Sequence, residues 1–130
     1  MRPSLTFWWF LLVFIGFILY ALVTPRIYSG PGHARPRAAH ADIISIKLAL
    51  DGFDVDNGYY PKSLRDLVQQ PADAKNWPGS YLNSTKLPVD PWGHKYIYEY
   101  PGKHNTNGYD LFSAGPDGKP GTGDDIVNWE

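Results

Sequence analysis

The hydrophobic positions of the chain follow two patterns, one continuous and one periodic. Residues 5–24 contain no charged side chain and are apolar at most positions. At about 1.5 Å per residue, a helix of this length matches the roughly 30 Å hydrocarbon core of a bilayer. Trp8, Trp9 and Tyr20 lie near the two ends of the run, where aromatic rings favour the headgroup region. The pattern predicts a transmembrane anchor over residues 1–25, and its length favours an uncleaved anchor over a signal peptide.

A Pro- and Gly-rich segment follows the apolar run. Gly30, Pro31, Gly32 and Pro36 all stand within residues 26–37, and these residue types break or kink a regular helix. We therefore expect residues 26–37 to form an irregular spacer. Its arginines could contact anionic lipid headgroups, but a solvated basic linker explains them equally well.

The periodic pattern begins at Ala38, where apolar residues recur at steps of three and four. This spacing places them on one face of an amphipathic helix, and the face comprises Ala39, Ile43, Ile46, Ala49, Leu50 and Phe53. Asn57 and Gly58 then supply residues that suit the left-handed end of a helix, and Pro61 prevents the helix from resuming. The pattern predicts one long helix that ends near Asn57.

The second half of the chain carries short strand-like segments. Residues 63–66 can start a short helix, whereas residues 72–91 are rich in Pro, Asn, Ser and Gly and predict a loop. Residues 95–100 and 108–114 are strand-like and are joined by a turn-forming segment, which predicts a β-hairpin. Since a two-stranded ribbon is marginally stable alone, we expect it to pack on the helix. The predicted fold class is α+β: an N-terminal transmembrane helix, then an amphipathic helix packed on a small antiparallel β-sheet with long loops, the globular domain being residues 38–130.

Charge is as unevenly distributed as hydrophobicity. The chain of 130 residues carries 12 Lys and Arg and 13 Asp and Glu. All 13 acidic residues but only 8 of the basic ones lie from Asp42 onward, so this part has a net charge of −5 (8 − 13). A nucleic-acid-binding domain would gather basic residues on its folded part, so we expect no nucleic acid partner. The absence of cysteine excludes a disulfide scaffold and a thiolate metal site.

Three carboxylates stand close together near the end of the chain. Asp117, Asp124 and Asp125 are separated by a segment that is rich in glycine. Such carboxylates repel one another unless a cation neutralises them, and hard oxygen ligands select Ca²⁺ or Mg²⁺. Spacing alone leaves an acidic solvated turn about as plausible as a metal loop. The apolar residues Ile126, Val127 and Trp129 follow directly and should anchor the loop to the core, which favours the metal loop.

The sequence contains no convincing active site. The chain contains no metalloprotease motif, no serine-hydrolase motif and no phosphate-binding glycine motif. We expect aromatic residues to fill the core rather than to form a sugar-binding platform; these are Trp77, Trp92, Tyr96, Tyr98 and Trp129. We therefore predict that the chain is not an enzyme and has no small-molecule substrate.

Three segments resemble the G-type major pseudopilin of bacterial type II secretion systems. They are DNGYYP at residues 56–61, LPVDPWGHKYIY at 87–98 and YDLFSAGPDGKPGTGDDIVNW at 109–129. The resemblance implies a long N-terminal helix that anchors the subunit and packs in a helical fibre, and a globular part with a three-stranded sheet and a structural calcium ion. The ligands that it implies are the carboxylates of Asp117, Asp124 and Asp125 and the backbone of Ala114, with Lys119 and Thr122 as further backbone contributors.

The front of the chain differs from that family. Pseudopilins resemble one another in a basic leader that ends in Gly and in a Glu inside the apolar stretch. Here Pro3 stands at the Gly position and Trp8 at the Glu position. The N-terminus therefore lacks the prepilin peptidase motif, and we do not expect cleavage.

The resemblance implies a structural subunit or accessory of a type II secretion pseudopilus, which acts in protein export across the bacterial outer membrane, and this is the function that we expect. The expected partners are the inner membrane, other pseudopilin or secretion-system subunits, and a second copy of the chain. Arginines after the anchor favour a cytoplasmic domain. The abundance of calcium outside the cytoplasm and the resemblance outweigh them, so we expect a single-pass inner-membrane protein with its globular domain in the periplasm. The alternative is a non-polymerising, membrane-anchored, calcium-binding interaction module of the cell envelope.

Overall fold

The computed structural model of the chain describes Phe14 and residues 31–129. Its regular elements are the helix α1 (Pro31–Asn57), a 3₁₀ helix (Leu64–Leu67) and the strands β1 (Ile97–Glu99), β2 (Asp110–Ser113) and β3 (Ile126–Val127). Among the residues described, no helix is both long and apolar enough to cross a membrane. The predicted anchor, apart from Phe14, and spacer residues 26–30 lie outside the described part of the chain.

The start of α1 differs from the prediction. The helix begins at Pro31 rather than at Ala38, so residues 31–37 are helical and not the irregular spacer that we expected. A proline at the start of a helix lacks only an N–H that would have no partner there. Pro36 lies inside the helix, but so near its beginning that it removes only the hydrogen bond to the carbonyl of Gly32.

The end of α1 agrees with the prediction. Gly58 follows the last helical residue, Asn57, with a φ of 79°, in the left-handed region that favours glycine. Its N–H donates to the carbonyl of Asp54 at 2.7 Å, which satisfies one of the free carbonyls at the helix end.

The buried face of α1 forms the centre of the core. Ile46, Leu50 and Phe53 are almost completely buried, as the periodicity predicts. They share one hydrophobic cluster with Leu67 of the 3₁₀ helix and Leu111 of β2. Burial of a large apolar side chain stabilises a fold by roughly 1.5–3 kcal/mol, so these few residues carry much of the stability of the domain.

The three strands form an antiparallel sheet in the order β1–β2–β3. Phe112 of the central strand pairs with Ile97 on one side and with Val127 on the other. The predicted hairpin is confirmed, although its strands are only three and four residues long. α1 contacts β2 and β3, so the architecture is one helix packed on a small antiparallel sheet, as the predicted fold class states.

Aromatic residues fill the space between helix and sheet. The rings of Phe53 and Tyr81 lie 5.5 Å apart, centroid to centroid. Tyr96 of the sheet edge donates its hydroxyl to Asp42 of α1 at 2.8 Å, and burial next to this carboxylate raises the pKa of Tyr96. Partly buried aromatic residues pack around the same core, namely Tyr59, Tyr60, Trp77, Trp92 and Tyr98. The prediction that aromatic side chains supply core volume is thus confirmed for Trp77, Trp92, Tyr96 and Tyr98, but not for Trp129, which lies outside this cluster.

A buried carboxylate organises the loop between β1 and β2. Asp110 is 1 % exposed and accepts the backbone N–H groups of Lys103, His104 and Asn105 at 2.8, 2.9 and 2.9 Å. Gly102 is required beside it, because a Cβ there would lie 2.6 Å from a carboxylate oxygen of Asp110. Burial alone would raise the pKa of Asp110, but the hydrogen bonds to its charged form outweigh burial and lower the pKa to about 2.

We predict that Asp110→Asn lowers the free energy of unfolding of the full chain by about 2 kcal/mol near neutral pH, because an amide replaces the charged acceptor of three N–H groups. The lowered pKa of Asp110 stabilises the fold fully above the ordinary carboxyl pKa, and this contribution is lost as the pH falls towards about 2. Urea unfolding in detergent micelles at several pH values measures both effects. Asp54→Asn is the matched control, and equal stabilities of the two variants at neutral pH would contradict the assignment.

Candidate functional site

The predicted metal ligands lie in residues 114–125, which we call the acidic loop. It joins β2 to β3, and the residues at its two ends, Ser113 and Ile126, are paired in the sheet. Both ends are buried, and Ile126 belongs to the hydrophobic core. Ile126 therefore anchors the end of the loop as expected, whereas Trp129 lies outside the core cluster and stacks on His104.

Three glycines allow the backbone conformation of the acidic loop. Gly115, Gly118 and Gly121 have φ values of 63°, 66° and 86°, where other residues are strained. A Cβ on Gly115 would also overlap the backbone carbonyl of Asp124, so the two ends of the loop approach too closely there for any side chain. A Cβ on Gly121 would meet open space.

The loop brings the carboxylates of Asp117 and Asp124 to the hydroxyl of Thr122. The Thr122 Oγ1 lies 2.6 Å from Asp124 Oδ1, 3.4 Å from Asp117 Oδ1 and 3.0 Å from the carbonyl of Lys119. The hydrogen bond from Thr122 lowers the pKa of Asp124, which favours its ionised form. A hydroxyl has one proton, so three acceptor oxygens converge on a single donor. Asp117 Oδ1 also accepts the backbone N–H of Lys119 at 2.8 Å, whereas in the described residues the hydroxyl of Thr122 is the donor to Asp124 Oδ1. A cation would add a partner for the carboxylate of Asp124.

Asp125 occupies a different position in the loop. Its Oδ2 accepts the N–H of Gly121 at 2.7 Å. Its Oδ1 is buried and has no hydrogen-bond partner among the residues that the structure describes. A buried carboxylate oxygen without a partner is costly, and a bound cation or water would remove that cost.

The donors of the acidic loop fit a hard divalent cation, although the side chains are not already gathered around one point. Within residues 31–129, no group of three or more His, Cys, Asp or Glu is arranged to hold a metal ion. The structure brings together Asp117, Asp124, Thr122 and the carbonyl of Lys119. Asp125 reaches them only through its backbone N–H, which donates to the carbonyl of Thr122 at 3.4 Å, and its carboxylate bonds to Gly121 instead. Ala114 forms no hydrogen bond with these residues in the described part of the chain. The donors are all oxygen, and no Lys or Arg in the described residues forms an ion pair with the three carboxylates. Oxygen donors with uncompensated negative charge suit Ca²⁺.

A buried turn supports the start of the acidic loop. Asp90 is 3 % exposed, and its Oδ1 accepts the N–H groups of Trp92 and His94 at 3.1 and 2.8 Å. Its Oδ2 accepts the hydroxyl of Ser113 at 2.5 Å, and Ser113 Oγ accepts the N–H of Gly115 at 3.1 Å. Burial would raise the pKa of Asp90, but these hydrogen bonds outweigh burial and lower it.

The ring of His94 connects this turn to the acidic loop. Its Nδ1 lies 3.2 Å from the carbonyl oxygen of Gly115 and, because a carbonyl only accepts, Nδ1 is the donor. The ring also lies against Gly118. We did not predict a role for Asp90, Ser113 or His94. The Asp-Pro-x-Gly sequence at residues 90–93 is a turn signal that could have pointed to Asp90, but nothing local links it to residues so far along the chain.

We predict that Gly115→Ala destabilises the domain more than Gly121→Ala does. Both substitutions place a Cβ at a positive φ, which costs about 1 kcal/mol, but only the first also collides with the backbone of Asp124. Gly121→Ala is thus the matched control for backbone strain. The free energies of unfolding of the two variants, measured by thermal unfolding, should differ by roughly 2 kcal/mol or more. Equal free energies would show that the two ends of the loop can move apart without loss of stability.

Comparison with known proteins places the chain in a described family. The family model of Type II secretion system (T2SS), protein G matches residues 26–129. The chain is 41% identical over 126 residues to the type II secretion system core protein G of Escherichia coli K12, which covers 91% of this chain and 83% of the relative. It is 44% identical over 123 residues to the core protein G of Pseudomonas aeruginosa, covering 87% and 84% of the two chains.

The fold agrees with this result. The crystal structure of the major pseudopilin from the type 2 secretion system of enterohaemorrhagic Escherichia coli superposes with a TM-score of 0.66 at 35% sequence identity. The match covers 82% of this chain and 96% of that one. A secretion-system family confirms the prediction that the chain is not an enzyme. The chain belongs to the type II secretion system protein G family.

Proposed function

We propose that the chain is a structural subunit of a type II secretion pseudopilus and acts in protein export across the bacterial outer membrane. The observation that carries this proposal is the shared fold: α1 packs on the three-stranded sheet as in a solved major pseudopilin with detectable sequence identity. Relatives named core protein G match along most of their own length, which supports a role as the whole subunit.

The outer surface of α1 supports assembly with other subunits. Ile44, Leu48 and Val55 are 59, 68 and 83 % exposed although each is a large apolar residue. Their spacing of four and seven positions aligns them along one side of the helix, away from the buried face. An exposed apolar row of this kind is suited to packing against another helix of a fibre. Other secretion-system subunits and a second copy of the chain are the proposed partners.

The membrane anchor is the second part of the proposal. The uncharged run of residues 5–24 has the length and composition of a single spanning helix. We propose a single-pass inner-membrane protein whose globular domain lies in the periplasm, where calcium is available to the acidic loop.

The N-terminus supports an alternative function. Pro3 and Trp8 stand at the positions of the Gly and the Glu in which pseudopilins resemble one another, so the prepilin peptidase motif is missing. A chain without this motif could remain anchored and bind envelope proteins through its calcium-stabilised domain without polymerising.

Fibre formation separates the two functions. We predict that overexpression in the source bacterium gives surface fibres that electron microscopy detects, and that Leu48→Asp abolishes them. Leu48 is 68 % exposed, so the variant should keep its fold, and Lys47→Asp is the matched control on the neighbouring exposed position. An intact Met1 in the mass spectrum of the membrane-purified protein, together with an absence of fibres, would favour the anchored module.

We further propose that Ca²⁺ binds the acidic loop and stabilises it. Asp117, Asp124 and Asp125 would supply the carboxylates, and the backbones of Ala114, Lys119 and Thr122 would complete the set. Two observations support this site: the carboxylates of Asp117 and Asp124 both approach the hydroxyl of Thr122, and Asp125 Oδ1 has no hydrogen-bond partner in the described part of the chain. The ion would neutralise carboxylates that otherwise repel one another, and its role would be structural.

We predict that calcium at about ten times its dissociation constant adds about 1.4 kcal/mol to the stability of the full chain in detergent micelles, and that EGTA removes this gain. The melting temperature should change by about 5–10 °C for a domain of this size. Asp117→Asn should abolish the calcium dependence while leaving the stability in EGTA unchanged or higher, since it removes a repelling charge. Asp54→Asn should respond to calcium like the parent protein. A parent melting temperature that ignores calcium would exclude the site.

A further inference from the structure

A groove lies between the 3₁₀ helix and the outer edge of β1. It has a volume of about 520 Å³, and the residues that line it include Lys62, Arg65 and Lys95. Its apolar surface includes Leu87 and Val89, which are 38 and 56 % exposed. We call it the basic groove. It lies outside the acidic loop, and the proposed function assigns it no role.

The charge of the basic groove opposes that of the domain. From Asp42 onward the chain has a net charge of −5 (8 − 13), yet no acidic residue lines this groove. Lys62 is paired with Asp73 at 2.8 Å, but Arg65 and Lys95 form no ion pair with any residue that the structure describes. Two cations without an ion-pair partner in the described residues therefore line the same groove as the apolar side chains of Leu87 and Val89. The neighbouring groove, which shares Leu87 and Val89, includes Asp42 and lacks this positive character.

The backbone at the groove offers unused hydrogen-bonding groups. β1 is an outer strand that pairs with β2 on one side. The N–H of Asn128 bonds to the carbonyl of Leu111, so the backbone groups of Leu111 face β3. Leu111 therefore directs no backbone group towards β1, so Leu111 and the opposite residue, Tyr98, form a non-hydrogen-bonded pair. The backbone N–H and C=O of Tyr98 consequently point outward from β1, away from β2. In the described part of the chain, the outward groups of Tyr98 bond to no other backbone group.

The segment before β1 also leaves room for another strand. Val89 forms an isolated antiparallel bridge with Lys95, at the start of the β1 edge. Continued pairing would bring Leu87 opposite Ile97, but no bridge forms there. The two segments separate instead, and the basic groove fills the space between them.

We propose that the basic groove binds an extended segment of a partner protein that carries both acidic and apolar side chains. The segment would add as a strand to the outer edge of β1 through the backbone of Tyr98. Acidic side chains of the segment would reach Arg65 and Lys95, and apolar ones would contact Leu87 and Val89. Val89 and Lys95 are bridge partners, so their side chains lie on the same face of the sheet. Strand addition gives affinity through the backbone, and the side-chain contacts give specificity.

The test uses the full chain in dodecyl maltoside micelles and a fluorescein-labelled peptide, Glu-Val-Glu-Ile-Asp-Val-Glu-Val. Fluorescence anisotropy should show saturable binding that weakens as salt is added. A peptide with Lys at each acidic position should not bind. A peptide with N-methylated backbone amides, which cannot donate to the strand, should also lose binding.

Protein variants locate the peptide. The double variant Arg65→Glu, Lys95→Glu should bind the acidic peptide about tenfold more weakly or worse, since two attractive contacts become repulsive. Lys75→Glu removes another exposed cation outside the groove and should bind like the parent. The neutral double variant Arg65→Gln, Lys95→Gln should bind the acidic peptide with intermediate affinity. Such a graded loss would show that the change of charge, and not misfolding of the variant, weakens binding.

Four outcomes would overturn the proposal. They are no saturable binding of the acidic peptide, equal binding of the Lys peptide, equal binding of the N-methylated peptide, and equal affinity of the parent and the Arg65→Glu, Lys95→Glu variant. Sedimentation of the full chain tests the other candidate occupant of the groove, which is a second copy of the chain. Self-association that this double variant abolishes would show that a second copy of the chain fills the groove instead.

Discussion

The contact between the buried face of α1 and strand β2 is the interaction on which the rest of the domain depends. The strands are three, four and two residues long, and a sheet this small is marginal without a covering element. Leu50 and Phe53 of α1 supply that cover against Leu111. Both the acidic loop, which leaves the end of β2, and the basic groove, which borders β1, are positioned by the sheet that this contact stabilises.

Two buried carboxylates extend this order into the long loops. Asp90 accepts two backbone N–H groups and the hydroxyl of Ser113, and Asp110 accepts three backbone N–H groups. Loops without regular pairing must satisfy their backbone donors in some other way, and an ionised acceptor forms stronger hydrogen bonds than a neutral one. Asp90 and Asp110 thus act as fixed points in the segments where no helix or strand ladder is available.

The sequence predicted the parts of the fold that depend on near neighbours. The helical period identified the buried residues Ile46, Leu50 and Phe53, and the Asn-Gly pair located the helix end. It misplaced the helix start, because proline and glycine propensities apply to a helix interior, whereas Pro31 occupies the first helical position. For the acidic loop, composition alone found Asp117 and Asp124, which the structure brings to one hydroxyl.

Pattern and composition by themselves determined the α+β class, the helix face and the position of the acidic loop, because these follow from spacing within a few residues. Only the tertiary structure decided which acids are buried, since Asp90 and Asp110 look like ordinary loop and strand acids in the sequence. The same holds for the basic groove. Arg65 and Lys95 lie thirty positions apart in an acidic domain and share one opening only because the 3₁₀ helix packs beside the edge of β1. Contacts between distant segments depend on how the helices and strands pack on the core, and short stretches of sequence do not predict this packing.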